Sequence, residues 1–452
     1  MSTETPQNKA EGATPLLSSS SNLPAHGRLV TWLGLFVLVA TSLSIGFHYV
    51  ARAYYHHGYP WNTFLLNPLH HFSDYYQVYL QARHFHPGGS TNVVYSPLLH
   101  LLITALTALP ATVGFAAIIA AFLAVLVAVL WRWVTASDMG LGARLQQTAI
   151  LAMLSYPVLF VLDRGNLEMV VFVLLAAFFW LYYARGSRWA WVPLALAIAG
   201  KYYWVTLLLL PLSDRNVRQA VYAAAGAVFV SLISAVILAW TSGYTVVTVF
   251  RNTVSTLSGR DKAFGSYLDI QHAHTSWSVL QLLNRILNYP LSGIDHLNGA
   301  YFGIAVLVFV LVAYNVLMRD LAPWRKVTVL VAATLLLPFE SFDYTLVHLY
   351  FPLAMLVCAI PPSRGSRLSL ALIGVCLVPM AYYYFKVWGW QYDMGISVFI
   401  YAAALAGLII VPLVTGEKER LGWRSLFTWA GPSPPEGLPA PETSPAHGDG
   451  DK

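Results

Sequence analysis

The sequence predicts an all-α polytopic membrane protein, and three observations carry that reading. Of its 452 residues, 57% are hydrophobic and only 10% are charged, with a mean hydropathy of +0.60; soluble domains carry about 25% charged residues. Many apolar runs approach or exceed the roughly 20 residues a helix needs to cross a bilayer core. None of them alternates apolar and polar with period two, as the strands of a membrane barrel do.

Residues 1–28 are rich in Ser, Pro, Thr, Gly and Ala and poor in large apolar groups, so a disordered cytoplasmic tail is expected there. The first apolar run, about 29–50, follows Arg28 and is too long for a signal-peptide core; it reads as an uncleaved anchor with the N-terminus inside. Residues 51–95 then form the first external loop. Within it Ser73 is placed to cap a short helix beginning at Asp74. Asp74, Gln77, Gln81 and His84 recur at spacings that share one face, and Tyr75, Tyr76, Val78, Tyr79, Leu80 and Phe85 cover the rest. Such a helix suits the plane of a membrane surface. Interfacial Tyr and His are also ordinary belt residues, which is the plainer account of the same composition.

Further apolar segments run roughly over 97–112, 113–133, 147–162, 166–184, 189–211, 219–241, 299–318, 327–338, 346–361, 368–385 and 394–414, about twelve in all. They define one membrane domain over 29–415. Strict alternation from an internal N-terminus puts Arg215/Arg218, Arg319/Arg325/Lys326, Arg364/Arg367 and Lys418/Arg420/Arg424 inside, as the positive-inside rule requires. The same alternation puts Arg132/Arg144 and Arg185/Arg188 outside, against the rule. Two segments are weak as full spans: 97–112 is short and ends at Pro110, and 189–211 carries Gly200-Lys201 at its middle. Re-entrant half-helices there would return both Arg pairs to the inside. The tail 416–452 is amphipathic to about Trp429, then Pro-, Glu- and Gly-rich, and is expected to be cytoplasmic and largely disordered.

Between Leu29 and Thr415 basic residues exceed acidic ones by eight. Much of this is cytoplasmic bias, and part could serve anionic lipid headgroups. No basic run of the nucleic-acid-binding kind occurs, so no nucleic-acid partner is expected. Glycine loops of the nucleotide-binding type are absent, which argues against a nucleotide-sugar or ATP site. Cys358 and Cys376 both fall in apolar runs and read as small core residues.

Ionisable groups among apolar surroundings are functional candidates by default. Asp163-Arg164-Gly165-Asn166-Leu167-Glu168 reads either as a site or as a hairpin turn whose Asp and Arg pair. Lys201 either snorkels or binds an anion such as phosphate. Glu340-Ser341-Phe342-Asp343-Tyr344, followed by His348, ends one span and begins the next. A long polar loop over 242–298 contains His274, Ser276, Trp277 and Arg285, and its stretch from Trp277 to Leu287 reads as an amphipathic helix.

In order and spacing these motifs resemble the GT-C class of membrane glycosyltransferases, and in particular the family-87 polyprenol-phosphate-mannose-dependent mannosyltransferases. The resemblance rests on the Ser73-Asp74 helix with its Tyr79, the Tyr95-Ser96-Pro97-Leu98 entry into a short span, Arg164-Gly165-Asn166, Gly200-Lys201-Tyr202-Tyr203, His274-Thr275-Ser276-Trp277 with Asn284-Arg285, and Ser341-Phe342-Asp343-Tyr344. The family's loop Asn-Gln is here His274-Thr275, the Pro of its Lys-x-x-Pro element is replaced by Trp204, and its usual His falls on Tyr344, one turn before His348.

The resemblance implies a GT-C-like fold with external loops forming the active site. It implies inverting transfer of a hexose, mannose by family, from a polyprenyl-phosphate donor to a glycolipid or glycan hydroxyl, with no cofactor and no required metal. A phosphate leaving group needs little protonation, so one carboxylate suffices as base, unlike the two of a glycosidase. The expected catalytic residues are Asp74 and His348. The expected substrate contacts are His71, Tyr75, Arg164, Asn166, Lys201, His274, Ser276, Trp277, Arg285 and Asp343, with Lys201, Arg285 and Arg164 facing the departing phosphate and the aromatics either stacking on sugar or lying at the interface. A bacterial inner membrane is expected, with the active site on its external side. The alternative from another class is a transporter or flippase of a lipid-linked sugar; the internal symmetry common in transporters is not visible.

Overall fold

The computed structural model describes residues 24–55, 72–83, 95–135, 139–251, 253, 273–286, 294–357, 363–380 and 396–415. Among these the chain is helical, with a single isolated antiparallel bridge between Ala273 and Phe342. In order the helices are α1 (Pro24–Tyr55), α2 (Ser73–Arg83), α3 (Pro97–Leu106), α4 (Ala111–Thr135), α5 (Leu141–Leu154), α6 (Tyr156–Arg164), α7 (Glu168–Phe179, prolonged by a π-turn over Trp180–Ala184), α8 (Trp191–Gly200), a 3-10 helix over Tyr202–Leu208 and α9 (Leu209–Ser213). They continue with α10 (Val217–Ser242), α11 (Ser276–Ile286), α12 (Ile294–Met318), α13 (Pro323–Leu336), a 3-10 helix over Asp343–Leu349, α14 (Tyr350–Val357), α15 (Arg364–Leu377) and α16 (Ile396–Val414).

Among the described residues five helices are long and apolar enough to cross a bilayer, and a sixth crossing results if α5 and α6, bent by 47° at Ser155, count as one broken span. The other apolar helices are shorter. Helices of spanning length among the described residues thus number five or six against about twelve expected segments, and two of the shorter segments are interrupted within their apolar runs. Segment 97–112 is a ten-residue helix started by the Ser96 cap and Pro97. Segment 189–211 breaks at Lys201, whose extended backbone separates α8 from the 3-10 helix.

Contacts between connections define the two ends of the bundle. At one end Arg144 donates to Met139 O (2.6 Å), and Met139 Sδ accepts from Thr31 near the start of α1. Tyr182, at the close of α7, donates to Asp214 (2.9 Å), which also takes Lys326 Nζ at 2.7 Å. Arg319 and Arg325 donate to the last carbonyls of α16, Leu413 O (2.6 Å) and Pro412 O (3.0 Å). Cations satisfy the orphan acceptors and the negative dipole of a helix C-terminus in this way. At the opposite end Phe72 N–H donates to Asp163 O (2.8 Å), Tyr79 OH to Leu109 O (2.8 Å), and His274 N–H to Ser341 O (3.2 Å).

Both ends of α3 thus belong to the second end, and α8 through α9 forms a hairpin that leaves the basic end and returns to it. The arginine pairs 132/144 and 185/188 lie with the other basic residues. This corrects strict alternation and matches the version with half-helices, in which each half-helix turns back where Pro110 or Gly200-Lys201 interrupts the apolar run.

Close approach of helices is concentrated on α8 and α10. Ala223 and Ala227 are buried there, and a Cβ on Gly226 would lie 3.0 Å from the Trp191 ring and 3.1 Å from Ala195 Cβ. Small residues at such crossings let dispersion contacts replace the hydrophobic drive that lipid does not supply. Cys376 is a buried free thiol in α15, as its apolar run suggests; Cys358 lies outside the described residues.

One glycine fixes the geometry of the polar end. Gly165 terminates α6 with φ +64°, its N–H bonded to Leu162 O (3.1 Å), while Asn166 N–H bonds Val161 O (3.2 Å). A Cβ there would lie 3.1 Å from both Cα and Cβ of Phe72 and 3.2 Å from the Phe115 ring. Gly165→Ala is expected to lower stability by at least ~1 kcal/mol, from the left-handed backbone alone, read as a lower unfolding midpoint in detergent.

Candidate active site

The site is assembled where α2 meets the turn between α6 and α7. Asp74 sits in the first turn of α2, where the helix dipole favours an anion. Its Oδ1 accepts from Arg164 Nη2 at 2.9 Å and its Oδ2 from Asn166 Nδ2 at 2.6 Å. Both partners are donors, the pairing a carboxylate needs. Side-chain exposure is 17% for Asp74 and 31% for Arg164, so the pair stays open to a substrate. The same Asn166 also accepts at Oδ1 from the N–H of Glu168, the first residue of α7, at 3.0 Å. One amide therefore ties the carboxylate of α2 to the start of α7.

Directly below lies a second charged group. Glu168 is fully buried, with Lys201 Nζ 3.3 Å from Oε1 and His348 Nε2 2.9 Å from Oε2; Tyr203 OH also donates to Oε1. The break at Gly200-Lys201 is what brings Lys201 and Tyr203 here, since the hairpin tip meets the N-terminus of α7. Tyr95 covers the ammonium, ring centroid 4.9 Å from Lys201 Nζ. Burial, and next the Asp74 carboxylate beside it, raise the Tyr95 phenol well above its ordinary range, so it stays protonated. His348 packs edge-on against the buried Trp204 at 4.5 Å.

A third cluster lies where the loop before α11 meets the link between α13 and α14. Asp343, buried, accepts from Tyr156 OH at 2.9 Å, and its Oδ1 is 3.0 Å from His274 Nδ1. The Ala273–Phe342 bridge and His274 N–H to Ser341 O hold the two strands of chain together. Ser276 is bonded to Tyr301 OH (2.8 Å) and Leu336 O (3.1 Å). Among the described residues no three His, Cys, Asp or Glu side chains converge as a metal site would need.

The residues expected from the sequence thus divide. Asp74, Arg164, Asn166 and Lys201 come together at one place. His348 joins them through Glu168, its Nε2 lying 2.9 Å from Glu168 Oε2. Glu168 matches the charge of Lys201, whose side chain keeps partial exposure. Tyr75 is part of the packed core. It is fully buried, 4.9 Å from the Phe115 ring, and burial, with Tyr79 and Tyr76 next, pushes its phenol up to about 12. Trp277 is likewise packed, against Tyr301 (4.9 Å) and Phe339 (5.3 Å). His274, Ser276 and Asp343 belong to the third cluster. Arg285 lies in the last turn of α11, but its side chain, like His71, falls outside the described residues.

In the sequence Glu168, Tyr203 and Tyr95 stand only as members of motifs, with no site role of their own. The signal for the first was present: Glu168 directly precedes an uncharged run, Met169–Ala184, and a carboxylate so placed needs a cation.

With this geometry in hand, comparison with known proteins is informative. The family model described as Glycosyltransferase family 87 matches residues 93–338. The matched stretch includes Tyr95, Arg164, Asn166, Glu168, Lys201 and His274; Asp74, Asp343 and His348 lie outside it. No curated protein and no solved structure matches the chain. A match over more than half of the chain establishes that this protein belongs to glycosyltransferase family 87, a multi-pass membrane glycosyltransferase acting on a sugar donor and an acceptor.

Proposed function

We propose that the protein transfers a hexose, mannose, from a polyprenyl-phosphate donor to a hydroxyl of a glycolipid or glycan acceptor, with inversion, and with Asp74 as the general base. The observation that carries the proposal is the pairing of a partly exposed Asp74 with Arg164 and Asn166 at the end of the bundle away from the basic residues. By the positive-inside rule that end faces the outside, here of a bacterial inner membrane, where a lipid-phosphate sugar displays its headgroup.

In the reaction the acceptor oxygen attacks the anomeric carbon as the bond from that carbon to the phosphate oxygen breaks. The hydroxyl proton passes to Asp74, and polyprenyl phosphate departs with the bonding pair. Four charges meet here in balanced pairs, Asp74 with Arg164 and Glu168 with Lys201. When Asp74 takes the proton its charge is cancelled. Arg164 is then uncompensated at the moment the leaving phosphate gains negative charge, which is when a fixed cation stabilises the transition state most. Lys201, 16% exposed, is the second cation within reach of the phosphate, and Glu168 and His348 hold it in place.

The test uses purified protein in nanodiscs with radiolabelled polyprenyl-phosphate mannose, or GDP-mannose, as sole donor and a panel of lipid acceptors. Transfer from the lipid donor and none from the nucleotide sugar is expected; transfer from the nucleotide sugar alone contradicts the donor assignment. In the same assay Arg164→Gln is expected to lower kcat by roughly 10²-fold, the usual cost of deleting one charge-stabilising donor.

A further inference from the structure

The basic end of the bundle carries a feature unrelated to sugar transfer. Gln219 Nε2 donates to Ser187 O at 3.1 Å, joining the α7–α8 connection to the first turn of α10. Tyr182 reaches Asp214 from the same side. These two contacts bring Arg185 and Arg188, on the α7–α8 connection, beside Arg215, on the link after α9, and Arg218, in the first turn of α10; all four are exposed. Among the described residues none of the four is ion-paired, and the acidic neighbour Asp214 is occupied by Lys326 and Tyr182. Arg185 lies over the Trp180 ring at 5.0 Å and Arg188 over Trp189 at 5.5 Å.

Two further observations set this patch apart from a general excess of charge. Arg215 has φ +57°, the left-handed conformation, at the helix-terminating position that Gly or Asn ordinarily fills. A non-glycine residue there costs stability, and strain of this kind clusters at sites of function. The patch also borders an apolar surface: Trp180, Trp189, Val217, Val221 and Tyr222 are each 43–56% exposed. Arginines in register with exposed apolar side chains match a ligand having both an anionic head and acyl chains, which a soluble phosphate lacks.

We infer that Arg185, Arg188, Arg215 and Arg218 form a binding site for the headgroup of an anionic phospholipid, whose acyl chains lie along the exposed face of α10. The site is at the end opposite Asp74 and stands independently of the donor proposed above. Each arginine near an anionic membrane surface contributes roughly a fivefold gain in binding.

The experiment is native mass spectrometry of the full chain titrated with phosphatidylglycerol or phosphatidylcholine, with inorganic phosphate and glycerol 3-phosphate as competitors. Wild type should prefer phosphatidylglycerol by tenfold or more. Removing all four cations (Arg185→Gln, Arg188→Gln, Arg215→Gln, Arg218→Gln) should abolish the preference, whereas Arg364→Gln with Arg367→Gln, another basic pair at this end, should keep it. Arg215→Gly alone relieves the backbone strain, so it should weaken lipid binding several-fold without lowering the unfolding midpoint. An undiminished preference in the quadruple variant overturns the inference. So does displacement of the lipid by millimolar phosphate or glycerol 3-phosphate, which would mark a site for a soluble anion.

Discussion

Asp74→Asn is expected to reduce sugar transfer by about 10³-fold or more while leaving the protein folded. General-base catalysis is worth roughly 10²–10⁴-fold, and the asparagine amide cannot accept the acceptor proton. It can still sit in the first turn of α2 and bond Asn166. The ion pair it loses is partly exposed, with Arg164 at 31% and Asp74 at 17%. Pairs of that kind contribute little to stability once solvent screening is included, so the unfolding midpoint should barely move. This separation of activity from stability is what distinguishes a base from a structural carboxylate. Asp343→Asn is expected to give the opposite pattern, because Asp343 is buried and bonded to Tyr156 and His274. Equal transfer by wild type and Asp74→Asn would remove Asp74 from the chemistry.

Glu168→Gln is expected to produce the largest loss of stability of any single substitution at the site, about 3–5 kcal/mol. Glu168 is fully buried and holds Lys201, His348 and Tyr203 at once. The glutamine leaves Lys201 largely buried without a counter-charge, and breaking one half of a buried pair costs that order of energy. A partial recovery follows when Lys201→Met is added, since replacing the whole pair by neutral groups removes the uncompensated charge. The check is a double-mutant cycle of unfolding midpoints in detergent. Losses that simply add, with no recovery in the double variant, would show that the two residues do not depend on each other.

How much of this was legible in the sequence differs by residue, for physical reasons. The α2 helix was legible because its start is local: Ser73 and Asp74 announce an N-terminus, and the helix runs Ser73–Arg83. Its aromatic face was legible as a face but not as to what covers it; Phe115 and Gly114 of α4 bury Tyr75, and nothing local encodes that contact. The breaks at Pro110 and Gly200-Lys201 were visible as interruptions of apolar runs. That each turns its segment back became clear only from contacts such as Tyr79 to Leu109 O and Tyr182 to Asp214. The Asp163–Glu168 stretch was read in part as a self-paired hairpin turn. Arg164 instead reaches back 90 residues to Asp74, and Glu168 forward 180 residues to His348. Partners so far apart in sequence leave no periodicity to read, so neither the role of Glu168 nor its pairing with His348 is legible locally.

The central claim is a direct, single-carboxylate displacement at a lipid-phosphate sugar. It is tested most directly by the anomeric configuration of the first product formed by wild type from polyprenyl-phosphate mannose as sole donor, read by NMR after a single turnover. A product of configuration opposite to the donor's is the predicted result, because one attack on the face away from the phosphate inverts the centre. A product that keeps the donor's configuration would require a second displacement, and hence a nucleophile that Asp74, acting only as a base, does not provide.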